Sequence, residues 1–73
     1  MSSLETLSLN LYHKRQEMKL SIEELAFRCS ISSRYYGDIE RGKCNPTLEI
    51  LDKIANATST TPAELLTEQS RRK

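Results

Sequence analysis

Residues 20–42, LSIEELAFRCSISSRYYGDIERG, constrain this chain more than any other stretch, because helix-start and helix-stop signals crowd it too closely for anything but two short helices and a turn. Ser21 followed by Glu24 is a capping box, and Leu20 with Leu25 has the spacing of a hydrophobic staple. Leu25, Ala26 and Cys29 then place an apolar face at i, i+1, i+4. Ser30, Ile31 and Ser32 interrupt that face. A second helix starts at the pair Ser32 and Ser33, either of which can cap, and sends Tyr36 and Ile39 inward. Its other face carries Ser33, Arg34, Gly37 and Asp38. A face so small and polar suits insertion into a groove better than packing against another helix.

Upstream, Leu4, Leu7, Leu11 and Met18 fall on one face of a helix over residues 4–18, with Arg15 on the same stripe. Two readings of that arginine are open: its stem packs while its head reaches water, or it meets a buried carboxylate from elsewhere. His13 reads as a surface histidine, since no nucleophile or carboxylate pair accompanies it. Downstream, ERGKCNPT is a loop with a basic rim, where Gly42 can adopt the left-handed conformation and Pro46 forbids continuation. Thr47 caps a further helix with Leu48, Leu51, Ile54 and Ala55 facing inward. Thr61, Pro62 and Glu64 supply cap, first-turn proline and capping-box acid for a last short helix reaching Leu65 and Leu66. The expectation is an all-α fold of five helices. It comprises one domain over residues 1–67 and a disordered basic tail over 68–73 that ends in Arg71, Arg72 and Lys73.

Charge and cysteine content narrow the function classes. A net charge of +1 does not by itself call for a polyanionic partner. Locally, however, Arg28, Arg34, Arg41 and Lys43 outnumber Asp38 and Glu40, and the segment becomes clearly basic if Glu40 is neutralised inside the fold. Cys29 and Cys44 cannot close a metal site alone and read as small hydrophobes. No segment approaches the roughly 18 apolar residues of a membrane span, and no targeting signal is visible, so the expected location is the cytoplasm. No catalytic residues, metal, cofactor or small-molecule ligand are expected.

Three pieces together carry a resemblance: LSxEELA at residues 20–26, IERGKxNPT at 39–47, and Arg15 just upstream. The chain resembles the lambda-repressor and Cro type of helix-turn-helix, the XRE-like family, over about residues 7–66. The resemblance implies a compact five-helix DNA-binding domain. Residues 21–29 would be the first helix of the motif, and residues 33–40 the recognition helix in the major groove of double-stranded DNA. Ala26 would sit at the helix crossing and Ile31 would plug the turn. Arg15 and Glu40 would form a buried salt bridge.

By the same resemblance, base-reading positions are Ser32, Ser33, Arg34, Gly37 and Asp38. Arg34 is the main candidate because a guanidinium fork matches guanine O6 and N7, with a phosphate contact as the other reading. Phosphate contacts are expected from backbone amides at Ser21 and Ile22, and from Tyr35, Arg41, Lys43 and Asn45. Several positions depart from the family pattern. Ile22 stands where a glutamine is common, Ser30 replaces a turn glycine, and Tyr36 replaces an aliphatic residue, so its buried hydroxyl would need a partner. Thr58 and Thr60 replace Leu and Val, which is expected to loosen the C-terminal helix. Small proteins of this family usually form homodimers on palindromic operators, and Leu65 and Leu66 are the expected dimer residues. The implied function is a stand-alone transcriptional repressor or controller. A protein-interaction module that keeps the fold without binding DNA is the alternative, suggested by Ile22 and the near-neutral charge.

Overall fold

A computed structural model describes residues 2–69; of the tail expected over 68–73, residues 70–73 with Arg71, Arg72 and Lys73 lie outside them. The described chain forms five helices in the expected order: α1 (Ser3–Met18), α2 (Ile22–Arg28), α3 (Ser33–Glu40), α4 (Leu48–Ala57) and α5 (Pro62–Leu65). Every helix begins at a hydroxyl cap: Ser2, Ser21, Ser32, Thr47 and Thr61 each accept from the amide three residues on. In the Ser32/Ser33 pair the first member is the cap. The capping boxes at Ser21/Glu24 and Thr61/Glu64 form, as does one at Ser2/Glu5 that extends α1 beyond its expected start.

Helix ends are equally regular. Lys19, Ser30, Gly42 and Ser59 adopt positive φ angles of 58°, 60°, 75° and 57°. In each case that residue's amide donates three residues back and the next amide donates five residues back, as in Gly42 to Ile39 at 3.0 Å and Lys43 to Asp38 at 2.8 Å. This is the Schellman closure of α1, α2, α3 and α4, and only at α3 does a glycine occupy the left-handed position.

The core gathers Leu7 and Leu11 of α1, Leu25, Ala26 and Cys29 around α2, Tyr36 and Ile39 of α3, Leu51, Ile54 and Ala55 of α4, and Leu65 of α5. α3 packs against both α1 and α2, and α5 is wedged between α1 and α4. Burial raises the Cys29 thiol above its ordinary pKa, and Cys44 is half-buried against the core, so both cysteines serve as small apolar residues. No helix among the described residues is long and apolar enough to cross a membrane.

Three expectations about the packing are corrected. The buried stripe of α1 is completed by Thr6 and Asn10, whereas Leu4 and Met18 are only half-buried. The Asn10 amide donates to the carbonyls of Leu65 and Thr67, both at 2.9 Å, and so fastens the end of α5 to α1. Leu48 does not face inward: it is 80% exposed, because the first turn of α4 projects past the core. Thr58, finally, does not loosen the C-terminal region. It is buried with its hydroxyl donating to the Ile54 carbonyl at 2.8 Å, while the Thr60 hydroxyl donates to Glu64 at 2.7 Å.

Candidate nucleic-acid interface

The second helix of the motif is locked from behind. Arg15 Nε and Nη2 donate to the two carboxylate oxygens of Glu40 at 2.9 and 2.8 Å, and Arg15 Nη1 donates to the Leu20 carbonyl at 2.9 Å. Both side chains are nearly dry, at 11% and 7% exposure. The second reading of Arg15 therefore holds: it meets a buried carboxylate. Tyr36, fully buried, donates its hydroxyl to the same carboxylate at 2.7 Å, which supplies the partner that an aromatic at this position requires. Ser8 of α1 adds a hydrogen bond to the Glu40 carbonyl. Burial alone would raise the Glu40 carboxyl, but hydrogen bonds from Arg15 and Tyr36 outweigh it and hold the pKa below its ordinary value. Burial first, and the neighbouring carboxylate second, push the Tyr36 phenol far up, so that it remains a donor. Sequence reasoning found Arg15 and Glu40 but neither Ser8 nor the Tyr36 contact, although the i, i+4 spacing of Tyr36 and Glu40 on one helix was a usable signal.

The front of α3 is open. Ser32, Ser33 and Arg34 are exposed at its N-terminal end, where Ser32 Oγ is also occupied as the cap of the Tyr35 amide at 3.0 Å. Gly37 is buried, because the Arg41 guanidinium lies across it: a Cβ on Gly37 would stand 3.1 Å from Arg41 Nη1. Arg41 Nη2 donates to Asp38 Oδ1 at 3.0 Å, so these three residues form a single arrangement on the outward face. Lys43 and Asn45 are exposed in the following loop, and Tyr35 is half-buried beside the core.

The two backbone phosphate positions expected at the start of α2 are Ser21 and Ile22. The Ser21 amide is taken by Glu24 at 2.8 Å and the Ser21 hydroxyl by the Glu24 amide at 3.0 Å, which commits Ser21 to the cap. Ile22 is half-buried against the core, and Glu23 and Glu24 place negative charge at the start of this seven-residue helix. Of the two residues expected at a dimer contact, Leu65 is committed to the chain's own core at 3% exposure, whereas Leu66 remains 42% exposed. With Leu4, Leu7, Pro46, Leu48 and Leu51, Leu66 lines a shallow apolar groove of about 180 Å³ that reaches Ser3 and Asn45.

Comparison with known proteins agrees with this architecture. The helix-turn-helix family model matches residues 11–65. The chain is 43% identical over 47 residues to control protein C.BamHI of Bacillus amyloliquefaciens, a match spanning 64% of this chain and 58% of that protein. It is 40% identical over 52 residues to the HTH-type transcriptional regulator DdrOP3 of Deinococcus deserti, spanning 71% of this chain and 40% of that one. The chain thus covers about half the length of these curated relatives. Its fold superimposes on the restriction-modification controller protein C.AhdI of Aeromonas hydrophila with a TM-score of 0.81 and 35% identity, covering 85% of this chain and 94% of the other. Matched through its helix pair, its caps and its whole architecture, the chain belongs to the lambda-repressor-like, XRE-type helix-turn-helix family of transcriptional regulators.

Proposed function

We propose that this protein is a sequence-specific DNA-binding transcriptional regulator, a dimeric repressor or controller that inserts α3 into the major groove of a palindromic operator. One observation carries the reading: α3 is fixed at its back and at its C-terminal end by Arg15, Tyr36 and Glu40, while the face bearing Ser33 and Arg34 packs on nothing. Arg34 reads a guanine through a two-point contact, with Ser32 and Ser33 as less selective neighbours. Lys43, Asn45 and Tyr35 contact the phosphate backbone and set the helix in register. The controller and repressor roles are supported by the names of the relatives, control protein C.BamHI, restriction-modification controller C.AhdI and the immunity repressor of Bacillus phage phi105.

A second copy of the chain occupies the groove around Leu48 and Leu66. The support is its composition: Ser3, Leu4, Leu7, Asn45, Pro46, Leu48, Leu51 and Leu66 include no charge, so a self-contact brings no like charges together. That the groove also adjoins the Asn45 loop, beside the proposed DNA face, supports the same reading. Selection from random-sequence duplex DNA, followed by a salt titration on the selected site, tests the whole reading. An enriched palindrome with a steep negative salt slope supports it. No enrichment at low salt overturns it in favour of an interaction module.

A further inference from the structure

The outward face of α3 contains an arrangement that helical spacing alone does not reveal. Arg41 is the C-terminal cap of α3 and keeps a right-handed backbone, φ −85° and ψ 0°, so its side chain leaves in the helical direction. Side chains on a helix lean towards its N-terminus. Arg41 accordingly runs back over the preceding turn, and its guanidinium settles on Gly37, four residues earlier. The fit depends on the missing side chain: a Cβ at residue 37 would lie 3.1 Å from Nη1, 3.2 Å from Nη2 and 3.4 Å from Cζ. Asp38, one residue along, takes Nη2 at 3.0 Å and prevents the head from swinging back to the loop. The Arg41 side chain is still 52% exposed.

Building on the DNA-binding reading above, we infer that Arg41 is a base-reading residue delivered to the middle of the recognition face by the slot at Gly37, and that Asp38 is its positioning residue. The guanidinium stands about one turn, roughly 5.4 Å, nearer the centre of α3 than its own Cα. Asp38, with one carboxylate oxygen engaged by Arg41, acts through that arginine and not as an independent acceptor for cytosine. The outward face then offers two guanidinium heads, Arg34 and Arg41, each suited to guanine O6 and N7.

The test uses the full chain and position-by-position base preferences from the random-sequence selection, comparing wild type with Arg41→Ala, Asp38→Ala, Gly37→Val and the double variants Asp38→Ala/Arg41→Ala and Gly37→Val/Arg41→Ala. All substitutions lie on the outward face, so melting temperatures verify that the fold is intact. The expected result is that each single variant loses preference at the same guanine, by roughly 10-fold, and that neither Asp38→Ala nor Gly37→Val costs anything further once Arg41 is absent. Asp38→Asn, which retains an acceptor oxygen, restores part of the preference. Loss at different base pairs for Asp38→Ala and Arg41→Ala overturns the inference, as does an equal cost of Gly37→Val with and without Arg41. A uniform loss of affinity for Arg41→Ala, with the salt slope falling by about one and no base preference altered, assigns it to phosphate and also overturns it. Failure of the wild-type protein to enrich any sequence overturns the DNA-binding reading itself, an outcome distinct from all of these.

Discussion

Replacing Glu40 with alanine should unfold or nearly unfold the domain, and the structure gives the size of the effect. The substitution removes the acceptor for two Arg15 hydrogen bonds at 2.9 and 2.8 Å and for the Tyr36 hydroxyl at 2.7 Å. Removing one partner of a buried pair costs roughly 3–5 kcal/mol, because the remaining charge is stranded. Leaving the Tyr36 hydroxyl without its acceptor costs about 1–3 kcal/mol more. The two terms share a carboxylate and are not independent, so about 4–6 kcal/mol is the working figure. A chain of this length has a total stability of about 4–11 kcal/mol. Urea denaturation followed by circular dichroism measures the loss, with Tyr36→Phe as the comparison that removes only the hydroxyl and keeps the ion pair. Tyr36→Phe should cost about 1.5–3 kcal/mol, since it deletes one hydrogen bond to a charged group. A loss below about 1 kcal/mol for Glu40→Ala, set against the expected figure, refutes the argument that these partners depend on the carboxylate.

The same carboxylate makes the domain sensitive to acid: its folded-state pKa lies below the ordinary value of 4.5, so its contribution is present above that value and is lost as pH falls through the folded pKa. A midpoint that stays flat as the pH falls from neutral past 4.5 and on through the acid range would contradict this. Ser30→Gly and Ser59→Gly should each stabilise by about 0.5–1 kcal/mol, because left-handed strain exceeds the entropy cost of glycine; a rise in melting temperature of about 2–8 °C checks it, and a fall refutes it. Arg34→Ala should weaken binding to a selected operator by roughly 5- to 100-fold while leaving a scrambled duplex nearly unchanged, whereas equal losses on both would assign Arg34 to phosphate. Leu48→Glu, at a position 80% exposed, should leave the protomer's melting curve intact but convert dimer to monomer by sedimentation; a wild-type protein that is monomeric at high micromolar concentration and on DNA would remove that interface.

Elements written in local chemistry were legible in the sequence. Caps, capping boxes and the proline at the start of α5 depend on residues three or four apart, so α2, α3, α4 and α5 lie where their signals place them. The Arg15–Glu40 pair was legible through resemblance and through an arginine misplaced on an apolar stripe. What the pattern could not supply depends on how elements meet. Leu48 and Leu65 both sit in apolar helical contexts, yet the start of α4 projects past the core and the end of α5 is drawn into it. Asn10 is a polar residue at a core position, satisfied by carbonyls that only the assembled fold brings within reach, whereas Thr58 is satisfied locally by the Ile54 carbonyl one turn back on its own helix. The Arg41 guanidinium over Gly37 was not foreseen, because the side chain that covers this glycine starts four residues later.

The anchoring of Glu40 also bears on the thermodynamics of recognition. Its carboxylate and carbonyl tie the C-terminal end of α3 to Arg15 and Ser8 of α1, whereas the Ser32 end has only its cap and first-turn hydrogen bonds. Protection should therefore rise along α3 from its first turn to its last. On the proposed reading, a helix held in this way would enter the groove already ordered, and association would require freezing surface side chains but no backbone folding. Its binding heat capacity should then match the apolar area buried at the contact, with no added contribution from coupled folding.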